Sequence, residues 1–154
     1  MKTKSKKRHL LLSLPVLLSI FTSCGVLSSE STEKALVYSH DNEKLKWVSC
    51  PDFLPCEVAP LNGALGTPNN DVFIRFPGKA KIPFHTHSSN EHMVLIEGEF
   101  HTTYVGQNRV ILKAGDYAYG PGNLAHDGYC ASDEACIMFV AYETAIDAVP
   151  YPSK

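Results

Sequence analysis

Two histidines placed two residues apart, His85 and His87, are the feature of this sequence best suited to chemistry. On an extended strand, residues i and i+2 point to the same face, so both imidazoles lie on one side. The turn-forming residues 88–90, Ser-Ser-Asn, then reverse the chain, and Glu91 begins the returning segment opposite the two histidines. Two neutral imidazoles and a carboxylate on one concave face are suitable ligands for a divalent metal ion. These three residues therefore predict a metal site.

A fourth ligand has to come from another part of the chain, and His126 is the best candidate. It follows a segment rich in glycine and proline, residues 120–122, which predicts a turn leading into a strand. One divalent metal ion is expected, and its identity decides the chemistry. Tetrahedral Zn(II) would be filled by four protein ligands and form a closed site. Octahedral Fe(II), Mn(II) or Ni(II) would keep two positions open for a substrate, water or dioxygen.

The elements that must position these residues are predicted to be short strands. From Trp47 onward, runs rich in β-branched and aromatic residues alternate with turns containing glycine, proline or asparagine. Strands recurring every 8–12 residues or so are typical of an all-β sandwich or barrel. Residues 47–143 show no sustained helical period, so we expect one all-β domain there. The remaining residues, 144–154, are expected to form a C-terminal tail whose Pro150-Tyr151-Pro152 end is unstructured.

The segments that carry the four ligand candidates resemble the two motifs of the cupin superfamily. The matching positions are Gly78, His85, His87, Glu91 and Gly98 for the first motif, and Gly115, Asp116, Pro121 and His126 for the second. The resemblance covers roughly residues 47–143, and the short loop between the motifs is similar to that of compact microbial members. It implies a double-stranded β-helix (jelly-roll) barrel that holds a metal inside through His85, His87, Glu91 and His126. Since many cupins pair their barrels, it also implies a homodimer.

Three positions depart from the motifs, and none of them removes a ligand. Gly78 stands one residue farther from His85 than the pattern has it. Asn123 stands where the second motif has glycine, and Cys130 stands where it has asparagine. Asparagine tolerates a left-handed backbone better than most residues, so we expect the turn at Asn123 to survive.

The other histidines are assigned to other places. His92 follows Glu91 directly and therefore points to the opposite face of its strand. His101 can face either side of the sheet, depending on the register, and His40 is expected to be solvated. The large side chains expected to form the barrel core, a few of them lining the cavity, are Phe84, Met93, Leu95, Phe100, Tyr104, Tyr117, Tyr119, Phe139 and Tyr142. Tyr119 is also a candidate proton donor, although a core role is favoured.

The N-terminal residues indicate export. Residues 1–9 carry five of the fourteen Lys and Arg residues, and an apolar run from Leu10 to Phe21 follows. This is the pattern of a signal peptide, and the run is shorter than the roughly 20 residues of a membrane-spanning helix. The sequence Phe21-Thr22-Ser23-Cys24 resembles the lipobox of bacterial lipoproteins. That resemblance implies a signal peptide over residues 1–23, lipidation of Cys24, and a flexible tether over residues 24–46.

Two alternatives compete with this interpretation: an ordinary secretory peptide in which Cys24 has no role, and a transmembrane anchor. The lipoprotein interpretation places the protein on a membrane, facing the periplasm or the cell exterior, with its lipid as the contact.

Four cysteines remain in the mature chain, and an exported protein meets an oxidising compartment that permits disulfides. Four cysteines allow three pairings, among which sequence does not choose. The short stretches between the members of each close pair have turn character, which favours two local disulfides, Cys50–Cys56 and Cys130–Cys136. Zinc binding is disfavoured because the usual two-residue gap between cysteine ligands is absent.

The formal net charge is −2 and no basic array lies beyond the first residues, which argues against nucleic acid as a partner. Three functional hypotheses remain. The first hypothesis is a metal-dependent enzyme acting on a small organic molecule, with dioxygenase as the favoured reaction class. The second is a non-catalytic module that binds or senses a metal or small ligand. A purely structural lipoprotein is disfavoured, because buried histidine and glutamate are costly without a metal. The sequence identifies no catalytic residue.

Overall fold

A computed structural model describes residues 33–152 of the chain. The predicted signal peptide, Cys24 and the first part of the predicted tether lie outside the described residues. The described part contains strands and turns and no helix. It therefore includes no helix with the length and hydrophobicity needed to cross a membrane.

Eleven strands are formed within residues 33–152. They are β1 (Val48–Ser49), β2 (Glu57–Asn62), β3 (Asn70–Phe76), β4 (Lys81–Thr86), β5 (Glu91–Glu97), β6 (Glu99–Tyr104), β7 (Val110–Lys113), β8 (Tyr117–Gly120), β9 (His126–Cys130), β10 (Cys136–Tyr142) and β11 (Val149–Pro150). They make two antiparallel sheets, one in the order β1-β2-β3-β10-β5-β8 and the other in the order β11-β4-β9-β6-β7. The prediction of an all-β jelly roll is confirmed.

The core lies where alternate residues of the two sheets point inward. Along β10, for example, Cys136, Met138, Val140 and Tyr142 are buried, and the residues between them are only half-buried. This period of two is the pattern of a strand with one face in a core. The same alternation places His92 on the outer face, as predicted, where its imidazole lies 2.9 Å from the Tyr117 hydroxyl.

The predicted core role of Tyr117 and Tyr119 is wrong. Their exposed fractions are 58% and 46%, because the inward positions of β8 belong to Ala118 and Gly120. His101 also faces outward: it is half-buried and contacts the Glu99 carboxylate, while the inward positions of β6 are Phe100, Thr102 and Tyr104.

The outer face of the six-stranded sheet carries a second, smaller apolar cluster, and the last part of the predicted tether covers it. Leu45 is buried against this cluster together with Ala59 and Phe73. His40 packs its ring edge-on against Phe73 and lies 3.3 Å from the Glu97 carboxylate, so it is not simply solvated. The compact unit accordingly begins at Leu36, before the predicted domain start at residue 47.

The C-terminal tail is ordered by pairing, contrary to the prediction for its last residues. In β11, Val149 pairs with Thr86 and Pro150 pairs with His85. The amide of Tyr151 donates a hydrogen bond to the carbonyl of Phe84. Edge pairing accommodates Pro150 because a proline can occupy an edge strand without breaking an interior ladder.

Both favoured disulfides, Cys50–Cys56 and Cys130–Cys136, are formed, and each closes a loop with a sequence separation of 6. They differ in environment, since Cys130 and Cys136 are fully buried and the other two are half-buried.

Replacing Cys130 and Cys136 together by alanine is expected to lower the free energy of unfolding by about 2–3 kcal/mol. The disulfide closes a short loop, and closing a loop of this length removes about that much chain entropy from the unfolded state. Urea unfolding at neutral pH measures the loss. The paired alanine substitution of Cys50 and Cys56 is the matched control, because that disulfide closes a loop of the same length but is less buried. A double variant of Cys130 and Cys136 as stable as the wild type would show that this cross-link does not stabilise the fold.

Candidate metal centre

Three histidines converge inside the barrel from neighbouring segments. His85 lies in β4, His87 directly follows that strand, and His126 is the first residue of β9. The register places His85 opposite His126, and their ring centroids are 4.4 Å apart. One ring nitrogen from each of the three histidines lies within 4.8 Å of the other two. Two strands of one sheet thus hold three imidazoles around a common point.

Glu91 reaches the same point from the opposite sheet. Its Oε1 lies 3.4 Å from Nε2 of His87, and its Oε2 lies 3.5 Å from Nε2 of His126. With bonds of about 2.1 Å to an ion, adjacent ligand atoms would be separated by roughly 3.0–3.4 Å. The observed separations are close to this range, and three imidazoles with one carboxylate suit a divalent first-row ion. The four predicted residues therefore lie together, and their geometry is compatible with a divalent metal.

The second ring nitrogen of each histidine is held by a backbone carbonyl. Nδ1 of His85 donates to the carbonyl of Pro83 at 2.8 Å, and Nδ1 of His126 donates to that of Leu124 at 3.2 Å. Nδ1 of His87 donates to the carbonyl of Asp147. A proton fixed on Nδ1 leaves Nε2 with its lone pair free, and such contacts orient histidine ligands in metal sites.

The contribution of Asp147 was not predicted from the sequence. Besides its carbonyl contact with His87, its carboxylate accepts a hydrogen bond of 2.7 Å from the amide of Ser88. Asp147 lies two residues before β11, and the pairing of β11 with β4 holds the tail against the strand that carries His85. The C-terminal segment is therefore part of the site.

The turn that precedes His126 forms as expected despite its departure from the motif. Asn123 has a φ of 64°, in the left-handed region that asparagine tolerates. Its amide donates a hydrogen bond of 2.7 Å to the carbonyl of His87. The neighbouring Gly122 leaves no room for a side chain, because a Cβ there would lie 2.7 Å from the carbonyl oxygen of Ser88. This turn and the segment that carries His87 are thus packed directly on one another.

Burial sets the protonation of the four residues in the metal-free protein. It lowers the pKa of His85 to about 3, with a further contribution from the nearby His126. It also lowers the pKa of His87 and of His126. Burial raises the pKa of Glu91, against the opposing effects of His126 and of a hydrogen bond from Tyr142. At neutral pH the three imidazoles are therefore neutral, which is the form that binds a metal.

Tyr142 orients the carboxylate. Its hydroxyl donates a hydrogen bond of 3.1 Å to Oε1 of Glu91, and its side chain is buried. Tyr142 lies opposite Glu91 in the β5–β10 register, so the contact is fixed by strand pairing.

Changing Tyr142 to phenylalanine is expected to weaken metal binding about 10- to 100-fold, the usual effect of removing a hydrogen bond to a ligand. Competition with a chromogenic chelator measures the affinity. Tyr129→Phe is the matched control, because Tyr129 lies on the outer side of β9 and packs against His101. Equal affinities for the wild type and Tyr142→Phe would contradict the orienting role.

An apolar cavity of about 230 Å³ adjoins the four residues. One side is covered by the loop that the Cys50–Cys56 disulfide closes, from which Leu54 points into the core. Another part is covered by Ile146 and Ala148 of the C-terminal segment. Its apolar walls come from both sheets and include Val58, Ile74, Phe76, Ile82, Met93, Phe100, Leu112, Met138 and Val140. The metal candidates thus face a partly open apolar space large enough for a small organic molecule.

Comparisons with known proteins agree with this architecture. A family model described as the cupin domain matches residues 72–142. No curated protein matches the chain significantly.

Among solved structures, an RmlC-like cupin from Shewanella frigidimarina is 19% identical, with a TM-score of 0.56 over 73% of this chain and 93% of the other. An RmlC-like cupin from Methanocaldococcus jannaschii is 21% identical, with a TM-score of 0.53 over 75% and 94%. The DMSP lyase DddQ from Ruegeria pomeroyi is 18% identical, with a TM-score of 0.58, and the match spans 71% of this chain but only 63% of the lyase, less than two thirds of its length. The match over residues 72–142 and the jelly-roll fold of these neighbours together support the assignment of this domain to the cupin superfamily.

Proposed function

We propose that this protein binds one divalent metal ion through His85, His87, Glu91 and His126, and that it uses the ion to transform a small organic molecule. Dioxygenase chemistry is the reaction class that we propose. The observation that carries the proposal is the apolar cavity beside the four residues. A purely structural zinc site needs no such space, because four protein ligands complete its tetrahedron.

A six-coordinate ion in this site would supply Lewis acidity and, as Fe(II), reactivity toward dioxygen at two open positions. The protein's own residues orient the metal ligands and form the walls of the cavity. The carbonyls of Pro83, Leu124 and Asp147 fix the histidine rings, so little reorganisation is needed when the ion binds. The apolar walls would reduce the contact of the reacting molecule with water, which strengthens the electrostatic interactions around it.

The DMSP lyase and an oxalate decarboxylase from Bacillus subtilis have similar folds, and their names give them reactions on small organic molecules, which supports an enzymatic role for this chain. These neighbours share less than 25% of their residues with this chain.

The test begins with metal analysis of the purified protein, followed by separate loading with Fe(II), Mn(II), Ni(II) and Zn(II). Oxygen uptake is then recorded with β-dicarbonyl and phenolic compounds, and product formation is followed by NMR with and without dioxygen. We expect Fe(II)-dependent oxygen consumption with at least one compound. Stoichiometric Zn(II) that resists chelation and admits no further ligand would overturn the enzymatic proposal. Binding of a compound without turnover by any ion would favour the non-catalytic binding module.

We also propose that the chain is exported and anchored to a membrane by lipid on Cys24, facing the periplasm or the cell exterior. The charged and apolar pattern of residues 1–23 supports export. Two disulfides among the described residues suit an oxidising compartment. Metabolic labelling with a radioactive fatty acid is expected to mark the wild type and the paired Cys50 and Cys56 alanine variant, but not Cys24→Ala. Label retained in Cys24→Ala would overturn the proposal.

A further inference from the structure

Tyr104 carries a buried hydroxyl with nothing to bond to among residues 33–152. Its side chain lines the cavity and is buried, and its hydroxyl oxygen has no hydrogen-bond partner there. The other tyrosine of the cavity, Tyr142, behaves differently, because its hydroxyl is taken up by Glu91. A buried polar group without a partner costs free energy, so such a group in a cavity indicates a partner that the cavity is built to receive.

The position of Tyr104 indicates which groups of the site that partner would contact. Tyr104 pairs with His126 in the β6–β9 register, and their ring centroids are 5.1 Å apart. A methyl group at Gly120 would lie 3.1 Å from both the Tyr104 hydroxyl and Oε2 of Glu91. The Tyr104 hydroxyl and this oxygen of a proposed metal ligand therefore both pack against Gly120, where a side chain would crowd them.

The charge of the cavity limits the ligand further. The lining residues include no lysine or arginine, and the carboxylates besides Glu91 are those of the exposed Asp147 and the half-buried Asp127, which accept hydrogen bonds from backbone amides. At the ion itself, the divalent charge, three neutral imidazoles and the Glu91 carboxylate would leave one positive charge. A ligand with a single negative charge would neutralise the ion, whereas a second buried negative charge would add to the carboxylates of Asp127 and Asp147 without a cationic partner and would be costly.

From these observations we infer that Tyr104 donates a hydrogen bond to a ligand oxygen next to the metal, and that the site takes a monoanionic oxygen donor with an apolar body, such as an enolate. This inference rests on the proposed metal site and deepens it by naming the ligand class. Tyr104 is a residue that contacts and positions the ligand, and it is not a metal ligand. The cavity volume and its apolar walls accept the body of the ligand, and the hydroxyl selects an acceptor oxygen.

The test uses two chelating probes of similar size and different charge, acetylacetonate with one negative charge and malonate with two. The full-length protein is loaded with Co(II), and each probe is titrated while the visible absorption bands of the ion are recorded. We expect acetylacetonate to bind the wild type at least about tenfold more tightly than malonate. Tyr104→Phe is expected to retain Co(II) and to bind acetylacetonate about tenfold or more weakly, the usual effect of losing a hydrogen bond to a charged oxygen.

Tyr129→Phe is the control, with unchanged affinity expected because that ring lies on the outer side of β9. Thermal unfolding of the metal-free variants provides a second readout. Tyr104→Phe should be at least as stable as the wild type, because it removes a hydroxyl that has no partner.

Failure of the wild type to bind Co(II) would be a failure of the proposed metal site. If the wild type binds Co(II) and its affinity for acetylacetonate equals that of Tyr104→Phe, only the role of Tyr104 is overturned. Malonate binding as tight as acetylacetonate binding would overturn the monoanionic ligand class.

Discussion

Purified His126→Ala protein is expected to bind divalent metal at least about 100-fold more weakly than the wild type, and His85→Ala is expected to behave in the same way. Protein zinc sites with four ligands bind with an apparent free energy of roughly 10–16 kcal/mol. An even share for each ligand is about 3 kcal/mol, which corresponds to a factor of about 100 in affinity. His85 and His126 face each other across β4 and β9, so each substitution removes one ligand from the same side of the site.

The measurement is metal content after equilibration with a chelator at a concentration that leaves the wild type loaded. His101→Ala is the matched control, since it removes an imidazole from the outer side of the same sheet, where it contacts Glu99. We expect one ion per chain in the wild type and in the control, and nearly none in His126→Ala. Full metal content in either His126→Ala or His85→Ala would show that the residue is not a ligand.

The metal candidates could be found from sequence because their signal is local. The alternation of a strand fixes that His85 and His87 share a face, and the turn at residues 88–90 brings Glu91 back toward them. His126 lies far away in the chain, and the turn signals before it, together with the resemblance to the second cupin motif, were what pointed to it.

The features that the sequence did not reveal depend on tertiary contacts. Every residue has a backbone carbonyl, so nothing distinguishes the one at Asp147 that holds His87. The core positions in β8 were misassigned because the aromatic residues Tyr117 and Tyr119 suit a core in composition, while the register points Ala118 and Gly120 inward. Pairing with β4 orders the C-terminal tail although Pro150 and Pro152 disfavour a strand there.

Acidification is expected to destabilise the metal-free protein steeply. The unfolded chain takes up a proton on each histidine below a pH of about 6.5, the ordinary pKa, whereas burial keeps the pKa of His85 in the fold at about 3. Stability is therefore unaffected by His85 above pH 6.5 and falls as the pH decreases from about 6.5 to 3. The loss reaches at most about 1.4 kcal/mol per pH unit for this residue, and His87 and His126 act in the same direction.

Glu91 contributes to the pH dependence of stability with the opposite sign. Because its pKa is raised, the folded state takes up a proton at a higher pH than the unfolded state does, which favours the fold as the pH falls. Each group exchanges at most one proton, so His85 alone can offset Glu91, and His87 and His126 add to the loss; we therefore expect acid to lower the stability. Urea unfolding of the chelator-treated protein between pH 7.5 and 4.5 measures it, with the slope for His85→Ala expected to be shallower by up to one proton. His101→Ala should keep the wild-type slope, since its imidazole lies outside the cavity. A slope for His85→Ala equal to that of the wild type would show that burial does not keep the imidazoles of the site unprotonated within the fold. It would also remove the physical reason for expecting them to be neutral and ready to bind a metal.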